Sequence, residues 1–499
     1  MSDAPSPPPH LTPEEFRALG HRMVDFVADY WRRLESFPVR AQVAPGETAA
    51  KLPLHAPQQG LGGPEGWEAV FRDLEQVVLP GLTHWQSPSF FAYFPANASG
   101  PAVLGELLAA GLGVQGMLWS TSPAATELET RVLDWLAELL GLPASFRSTA
   151  PTGGGVIQGT ASEAALVAMV AARRRVAVRG GGMKGPLVAY ASTQAHSSIL
   201  KAALLCGVAQ DAQDPVHVRQ VATDAGHALD PEALEREIRS DQAAGRVPFF
   251  VCATLGTTSS GAFDPLLQVA QVLERTGVAA RGAWLHVDAA WAGAALVCPE
   301  QRGWLSGVER ADSFAFNPHK WLLTNFDCDA FFTRDRQALL DALSVTPEYL
   351  RNAASASGQV IDYRDWQVPL GRRFRALKLW FVLRHYGVEG LQAHICEHLR
   401  LGELFESLVR ADARFELAAP RALSLVCFRL APRDGESAAE CDARNRHLLE
   451  QLNAGGRAFL THTVLPGTPP RYVLRMAIGA TTTQERHVRA AWDELQRLA

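Results

Sequence analysis

The chain has 499 residues, of which 47% are hydrophobic and 20% charged, a composition typical of a globular protein with a large core. Its 47 basic and 52 acidic side chains give a formal charge of −5, which offers neither a basic field for nucleic acid nor a polybasic patch for a membrane. No apolar run approaches the roughly 18 residues of a membrane span, and the Pro-rich segment 1–10 lacks the apolar core of a signal peptide. We therefore expect a cytoplasmic protein that acts on small molecules.

The seven cysteines are scattered along the chain, and none belongs to a C-x-x-C pair. This pattern predicts neither a disulfide framework nor a zinc or other metal site. It favours small core residues in a reducing compartment.

The first predicted element is a helix within residues 11–34. Thr12 is placed to cap it, Pro13 suits its first position, and apolar residues recur at helical spacing (Phe16, Met23, Phe26, Tyr30). A Pro- and Gly-rich connection follows at 39–57. We assign residues 1–99 to a helical N-terminal segment.

Between residues 100 and 377, short apolar runs alternate with helical patterns. The runs predict strands at 185–192, 247–256, 283–290 and 311–317, and the patterns predict helices at 162–175 and 264–277. Such alternation predicts an α/β domain whose mostly parallel sheet is flanked by helices. Residues 378–499 change texture, with strands at 423–430 and 471–480 and a closing helix at 485–499, which predicts a small C-terminal α+β domain.

The ends of the predicted strands are where open α/β sheets bind ligands. One candidate is the turn after Gly153–Gly155, where Thr160, Ala161 and Ser162 open a helix whose free N–H groups could hold a phosphate. Taken alone, a glycine-rich turn with a capped helix is the simpler interpretation.

Three further residues stand out at strand ends. Asp288 ends an apolar strand, Lys320 is the only permanent charge between Asp312 and Asp327, and His196 follows another strand. Each has an ordinary explanation, since a turn aspartate, a lysine that reaches solvent and a structural histidine are all common. Together with a phosphate turn, however, they are the parts that a pyridoxal phosphate (PLP) enzyme requires. A desolvated lysine forms a Schiff base with the aldehyde, and a carboxylate keeps the pyridine nitrogen protonated.

One alternative is a dinucleotide-binding dehydrogenase, because residues 111–116 spell G-x-G-x-x-G. That motif needs a preceding strand and an acidic residue about twenty positions later. Helical patterns flank it on both sides here, so we interpret it as a turn between helices. A regulator built on a PLP fold is a second alternative, but neither a basic patch nor a spare domain is present.

The sequence also resembles the group II PLP-dependent decarboxylases, and most closely the aromatic-L-amino-acid decarboxylases. The resemblance is carried by HVDAAWAG (286–293) and ADSFAFNPHKWLLTNFDC (311–328), and extends in collinear order through segments 90–99, 122–129, 153–164, 193–198, 253–264 and 362–392. It implies fold type I, the architecture of aspartate aminotransferase, and PLP as the cofactor.

The resemblance implies roles for individual residues. Lys320 matches the Schiff-base lysine, Asp288 the partner of the pyridine nitrogen and His196 the residue that stacks on the ring. The phosphate and remaining cofactor contacts match Thr160, Ala161, Ser162, Asn317 and Thr257. Tyr349 matches the tyrosine of a mobile loop that supplies a proton to the substrate Cα. In related aldehyde synthases this tyrosine is replaced, so Tyr349 favours amine formation over an aldehyde synthase, with an aminotransferase or a decarboxylase of another amino acid as further alternatives.

The implied substrate pocket is aromatic, which suits an aromatic amino acid. Its positions match Trp85, Tyr93, Phe94, Ala96, Gln115, Met117, His319 and Gly371, and Gly371 leaves room for a wide ring. Ala96, Gln115 and Met117 depart from the animal enzymes, which usually have threonine, isoleucine and phenylalanine there. The resemblance also implies a homodimer with active sites at the interface, wrapped by the N-terminal segment.

Overall fold

A computed structural model describes residues 10–58, 60, 62–179 and 185–499 of the chain. The Pro-rich segment 1–9 lies outside these described residues. Among the described helices, none is both long enough and apolar enough to cross a membrane.

The core of the described structure is a seven-stranded sheet with the order β1-β7-β6-β5-β4-β2-β3. Strands β2 to β6 are parallel to one another, whereas β7 runs antiparallel to both β6 and β1. The strands are β1 (Gly154–Gln158), β2 (Leu187–Ser192), β3 (Val218–Val221), β4 (Val247–Thr254), β5 (Trp284–Asp288), β6 (Ser313–Phe316) and β7 (Asp329–Thr333). The predicted mostly parallel sheet is therefore confirmed.

Helices precede this sheet and cover both of its faces. The first five are α1 (Pro13–Arg33), α2 (Glu47–Ala50), α3 (Gly63–Asp73), α4 (Gly100–Leu112) and α5 (Pro123–Leu139). Those within the sheet region are α6 (Ala161–Arg179), α7 (Ser198–Leu205), α8 (Pro231–Ala243), α9 (Leu266–Arg275), α10 (Pro318–Trp321), α11 (Arg336–Leu343) and α12 (Ala353–Ala356).

A smaller antiparallel sheet with the order β10-β11-β9-β8 forms the C-terminal part of the described chain. Its elements are α13 (Arg375–Ala411), β8 (Phe415–Leu417), β9 (Leu425–Leu430), α14 (Ala438–Ala454), β10 (Thr461–Leu465), β11 (Arg471–Ala477) and α15 (Glu485–Leu498). Gly387, with φ of 61°, interrupts α13. The proposed boundary between residues 377 and 378 falls inside this helix, and the three domain ranges stay predictions.

Local sequence explains why the main elements begin where they do. The hydroxyl of Thr12 accepts a hydrogen bond from the Glu15 backbone N–H, and the Glu15 carboxylate caps Thr12 in return, so α1 starts with a capping box. Strand β4 is buried throughout, as an apolar strand covered by helices on both faces must be. Segment 111–116 ends α4, with Gly113 at a φ of 61°, and α5 follows it, so it is a turn between helices as expected.

The glycine triplet at 153–155 has a different role from the predicted turn. Gly154 and Gly155 begin the edge strand β1. A Cβ on Gly153 would lie 2.0 Å from the Ser145 carbonyl oxygen, and one on Gly155 would lie 2.8 Å from the Phe332 ring. Close packing against neighbouring backbone and rings therefore requires these glycines, and the phosphate-type turn lies at the other end of β1.

Candidate active site

A row of polar side chains crosses the carboxyl-terminal edge of the large sheet. Side chains alternate between the two faces of a strand, so residues two or four positions apart share a face. For each polar residue of the row, such a residue of the same strand lies in the buried cluster that contains the side chains of α6. The row therefore lies on the α6 face, and its members come from five adjacent strands or strand ends: Thr254, Asp288, Asn317, Asp329 and Gln158.

Lys320 lies directly beyond this edge, in the short helix α10. It is half-buried, and its Nζ lies 5.5 Å from the centroid of the Phe94 ring. Burial lowers the pKa of this amine, while the carboxylates of Asp288 and Asp329 act in the opposite direction. An amine with a lowered pKa is a better nucleophile, as the sequence-based role of Lys320 requires.

A stack of aromatic rings fixes the backbone around Lys320. Phe94 stacks on Trp291 with centroids 4.3 Å apart, and Trp291 stacks on Trp321 at 5.2 Å. The Trp321 indole N–H then donates to Nδ1 of the buried His398 at 2.8 Å. The apolar residues around Lys320 therefore form a rigid support that holds the amine at the edge of the sheet.

His196 lies four residues after the end of β2 and is exposed. Its Nδ1 accepts the backbone N–H of Ser198 at 3.1 Å, which places the ring proton on Nε2 in the neutral form. Burial of part of the ring lowers its pKa, an effect that Asp288 opposes and Lys320 reinforces. The structure thus brings His196, Asp288 and Lys320 into one electrostatic neighbourhood.

The predicted phosphate residues meet at the start of α6. Helix α6 begins at Ala161, and the carbonyl oxygen of Thr160 accepts the N–H of Glu163 at 2.9 Å. The side-chain oxygen of Asn317 accepts the Ala161 N–H at 3.2 Å, so two separate segments converge here, and Ser162 is exposed beside them. The N-terminus of a 19-residue helix attracts anions through its N–H groups and its dipole.

Thr257 is placed differently. Its hydroxyl lies 3.0 Å from the Ser260 hydroxyl and accepts the Ala262 N–H at 3.0 Å. The side chain therefore stabilises the turn after β4, and its contact with a cofactor stays a prediction.

Several buried polar atoms along this edge lack a hydrogen-bond partner among the described residues: Thr254 Oγ1, Ser198 Oγ, Gln158 Oε1 and both carboxylate oxygens of Asp329. Buried polar atoms are nearly always paired, so their clustering points to a polar ligand. The helix end, the amine and the strand-end carboxylate match the phosphate, the aldehyde and the pyridine nitrogen of PLP. The residues present therefore fit that cofactor.

Among the predicted substrate residues, Phe94 lies near Lys320, and Trp85 and Tyr93 pack against each other. Trp85 and Tyr93 are stacked with centroids 5.6 Å apart, and both are exposed. Phe94 is buried beneath the Lys320 amine. Ala96 follows on the same segment, where its carbonyl oxygen accepts a 2.5 Å hydrogen bond from Gln86.

The other predicted substrate residues on the α4–α5 connection form a second group. The Gln115 side-chain oxygen accepts the Arg372 N–H at 2.8 Å, and a Cβ on Gly371 would lie 3.2 Å from the Gln115 amide nitrogen. The carbonyl oxygen of Met117 accepts the Arg364 N–H. The space that Gly371 leaves is therefore bordered by a polar amide, which the sequence pattern does not predict.

His319 is buried next to Lys320. Its Nδ1 accepts the Cys328 N–H at 2.9 Å, and burial, reinforced by the charge of Lys320, lowers its pKa to about 3. The imidazole is therefore neutral, with its proton on Nε2.

Tyr349 is not brought to this cluster. Its side chain is 77% exposed, on a short turn between α11 and α12. A cavity of about 830 Å³ lies beneath this segment, lined in part by Thr346, Leu350 and Asn352. The loop is therefore loosely packed, and its catalytic role stays a prediction.

Two residues of the site were missed in the sequence. Arg475 in β11 is 3% exposed, its guanidinium lies 5.1 Å from the Phe94 ring centroid, and its Nη2 has no partner among the described residues. Asp329 begins β7 beside the cofactor row. The signal that revealed Lys320, a single charge in an apolar run, also applies to both of these residues.

The chain is similar to known proteins along nearly its whole length. The pyridoxal-dependent decarboxylase conserved domain matches residues 45–431. Tryptophan decarboxylase 2 of Oryza sativa subsp. japonica is 50% identical over 488 residues, which cover 97% of this chain and 94% of the relative. Phenylacetaldehyde synthase of Arabidopsis thaliana is 50% identical over 490 residues, which cover 97% and 96%. A crystal structure of Oryza sativa TDC with PLP and tryptamine has a TM-score of 0.92 at 45% identity over 98% of both chains.

Proposed function

Because the chain belongs to the pyridoxal-dependent decarboxylase family, we propose that it converts aromatic L-amino acids such as tryptophan, phenylalanine, tyrosine or dopa into arylalkylamines and CO2. The expected fold type I architecture and the expected PLP cofactor are both confirmed. The observation that carries the proposal is the Lys320 amine, held with a lowered pKa beside Asp288 on a floor of unpartnered polar atoms.

When bound, PLP supplies an aldehyde for amines and a ring that withdraws electrons from the bond to the departing carboxylate. Lys320 provides the amine that holds the cofactor and yields its place to the substrate amine. Asp288, which is anchored by the Ala290 N–H at 3.0 Å, keeps a proton on the pyridine nitrogen. The start of α6 and Asn317 bind and orient the phosphate.

His196 would pack against the ring of bound PLP. After CO2 has left, the substrate Cα needs a proton, and Tyr349 is proposed to donate it when the loop closes. Closure of the loop also excludes water and oxygen from the site. Phe94 and Tyr93 offer apolar surface to the aromatic side chain of the substrate.

An aldehyde synthase is the second candidate, because Phenylacetaldehyde synthase is as similar to this chain as Tryptophan decarboxylase 2. Tyr349 favours the decarboxylase, since a proton donor at Cα competes with oxygen. We expect Tyr349→Phe to shift the products from amine towards aldehyde, ammonia and peroxide, with oxygen consumed and CO2 released as before, and without a change in thermal stability, because the side chain is exposed.

The proposal includes a homodimer. In the described part of the single chain, two helices present uncovered apolar faces, formed on α1 by Phe16, Met23, Val24 and Trp31 and on α4 by Leu104, Leu107, Leu108 and Leu112. Exposed apolar surface of this extent is typical of an interface. Gln115 and Met117 follow α4 directly, so a partner seated on this face would bring the second substrate group to an interface.

Sedimentation of a charged variant tests the dimer. Leu107→Arg is expected to give monomers of low activity, because it places a charge in the apolar face of α4. Leu54→Arg is the matched control, since Leu54 is 90% exposed outside both faces, and it should leave assembly unchanged. A dimeric Leu107→Arg variant, or a monomeric wild type, would contradict this part.

The seven free thiols support a reducing, cytoplasmic location.

A substrate panel tests the central proposal. The PLP-loaded protein is incubated with L-tryptophan, L-phenylalanine, L-tyrosine and L-dopa, and amine, aldehyde, peroxide and CO2 are measured. Amine and CO2 in equal amounts from at least one substrate are expected. Aldehyde and peroxide as the main products would overturn the decarboxylase in favour of the second candidate.

A further inference from the structure

Asp329 is the least explained charged residue near the candidate site. It is fully buried at the start of β7, and neither carboxylate oxygen has a hydrogen-bond partner among the described residues. An unpaired buried carboxylate is costly, and such a group in a native fold calls for a partner that the protein chain does not supply.

The strand register places Asp329 on the floor of the cofactor site. It pairs with Gln158 of β1, while the adjacent residue Ala330 pairs with Phe316 of β6. Continuing that register by one residue sets Asp329 beside Asn317 on the α6 face. Because Asn317 accepts the Ala161 N–H, Asp329 lies next to the proposed phosphate end of the site.

Two neighbours of Asp329 present hydrogen-bond acceptors that lack a partner among the described residues. The amide nitrogen of Gln158 is used by the Trp366 carbonyl, so its unpartnered atom is the acceptor Oε1. Glu163 of α6 receives the Gly159 N–H on Oε2 and leaves Oε1 unpartnered. Asp329 can hydrogen-bond directly to either of these acceptors only if an acid of the pair carries a proton.

The surrounding charges favour the protonated form of Asp329. Burial raises its pKa well above the ordinary value, and the negative charges of Asp288 on β5 and Glu163 on α6 raise it further. Only the charge of Lys320 on α10 opposes them. A phosphate dianion bound at the start of α6 would add another negative charge nearby.

We propose that Asp329 is a further cofactor-binding residue, which stays a neutral carboxylic acid and donates a hydrogen bond to the phosphate of bound PLP. This inference rests on the proposed function for the identity of the cofactor. It assigns Asp329 the opposite role from Asp288, since Asp288 acts as an anion and Asp329 as a hydrogen-bond donor.

The test measures binding of PLP to the apoenzyme by equilibrium dialysis between pH 6 and 9. The variants are Asp329→Asn, which keeps the shape and a donor, and Asp329→Leu, which keeps the volume without a donor. Pyridoxal, which can react with Lys320 but has no phosphate, is the matched control ligand. Thermal unfolding of each apoenzyme verifies that the variants fold.

We expect Asp329→Asn to bind PLP within about threefold of the wild type near neutral pH, and Asp329→Leu to bind at least about tenfold more weakly, as for the loss of one hydrogen bond to a charged group. For pyridoxal, the loss in Asp329→Leu should disappear. Wild-type affinity for PLP should fall relative to Asp329→Asn as the pH rises, because ionisation removes the donor.

Three results would overturn the proposal. The first is an Asp329→Leu variant that binds PLP as tightly as the wild type does. The second is an equal loss of affinity for pyridoxal in this variant, which would mean that Asp329 acts on Lys320 rather than on the phosphate. The third is a loss of more than tenfold in Asp329→Asn at neutral pH, which would mean that the acid acts as an anion. If one of these results is found but the wild type still forms amine from the substrate panel, the role of Asp329 is refuted and the proposed function stands.

Discussion

Helix α6 connects two buried charged regions at opposite edges of the large sheet. At the amino-terminal edge, Arg175 forms two 2.8 Å hydrogen bonds to Asp312, and it donates to the Gly282 and Ala283 carbonyls as well. Asp312 also accepts the Leu285 N–H at 2.8 Å. At the carboxyl-terminal edge, where α6 begins, Asp329 and Gln158 retain unpartnered oxygens.

The difference shows how a fold separates structure from function on one sheet. The Arg175–Asp312 region supplies every donor and acceptor from the chain itself, as a purely structural charge pair must. The cofactor edge leaves acceptors and hydroxyls open, so its polar groups become satisfied only when a ligand binds. The completeness of hydrogen bonding, rather than burial or charge, distinguishes the two regions.

The largest expected effect is on activity at the cofactor edge. Lys320→Ala should reduce amine formation at least about 10³-fold, because the amine placed to hold the cofactor is lost. Its thermal stability should not decrease, since a desolvated lysine is removed. Lys378→Met is the control, because Lys378 is another lysine whose pKa burial lowers, to about 8, but it is fully buried against α4, where it pairs with Glu106 at 2.7 Å. Full activity in Lys320→Ala would refute the mechanism.

A second prediction compares the same substitution, aspartate to asparagine, at the two edges of the sheet. Asp312→Asn should destabilise the apoprotein by about 3 kcal/mol, because it removes the carboxylate that is hydrogen-bonded to the buried Arg175 and leaves the more distant Asp335, at 3.9 Å. Asp288→Asn should change stability little but lower activity by about 10²-fold or more, since the pyridine nitrogen loses its acid partner. Urea unfolding and amine assays measure the two effects. Similar unfolding midpoints for both variants would contradict the distinction between a structural edge and a cofactor edge.

A third prediction concerns pH, with opposite signs at the two edges. Burial alone would raise the pKa of Asp312, but hydrogen bonds and charge from Arg175 hold it below its usual value. Its stabilisation is therefore present above about pH 4 and lost as the pH falls further. Asp329, with its raised pKa, stabilises the apoprotein below about pH 4 and loses this effect as the pH rises.

Unfolding free energies measured against pH for the wild type, Asp312→Asn and Asp329→Asn would reveal these windows as difference curves. The Asp312 curve should change only on the acid side, and the Asp329 curve only above it. Curves of the same sign would mean that both carboxylates are ionised in the fold.

The smallest expected effect lies at the rim of the structural region. Arg334 also contacts Asp312, at 3.1 Å, but its side chain is 39% exposed. Arg334→Ala should therefore cost less than about 1 kcal/mol in urea unfolding. A loss as large as that of Asp312→Asn would show that Asp312 depends on both arginines.

Much of the fold follows from local patterns in the sequence. The capping box at Thr12, the buried run of β4 and the long periodic pattern of α6 each specify an element without reference to distant residues. Lys320 and Asp288 could be selected because a charge in an apolar run is anomalous by itself. The glycine triplet could not be interpreted correctly, because its reason is the approach of Ser145 and Phe332 from other parts of the chain.

The sequence by itself predicted several of the elements and the family, and it singled out Lys320 and Asp288 as candidate site residues. Only the tertiary structure decided which polar side chains lie together in the row at the edge of the sheet, because their grouping depends on β7 lying antiparallel between β6 and β1. This register places Asp329 beside Asn317 and Gln158, although these residues are far apart in the chain. The tertiary structure also shows that Arg475, from the smaller antiparallel sheet, lies over the ring of Phe94. Lateral pairing of strands is a long-range property, and no local period in the sequence encodes it.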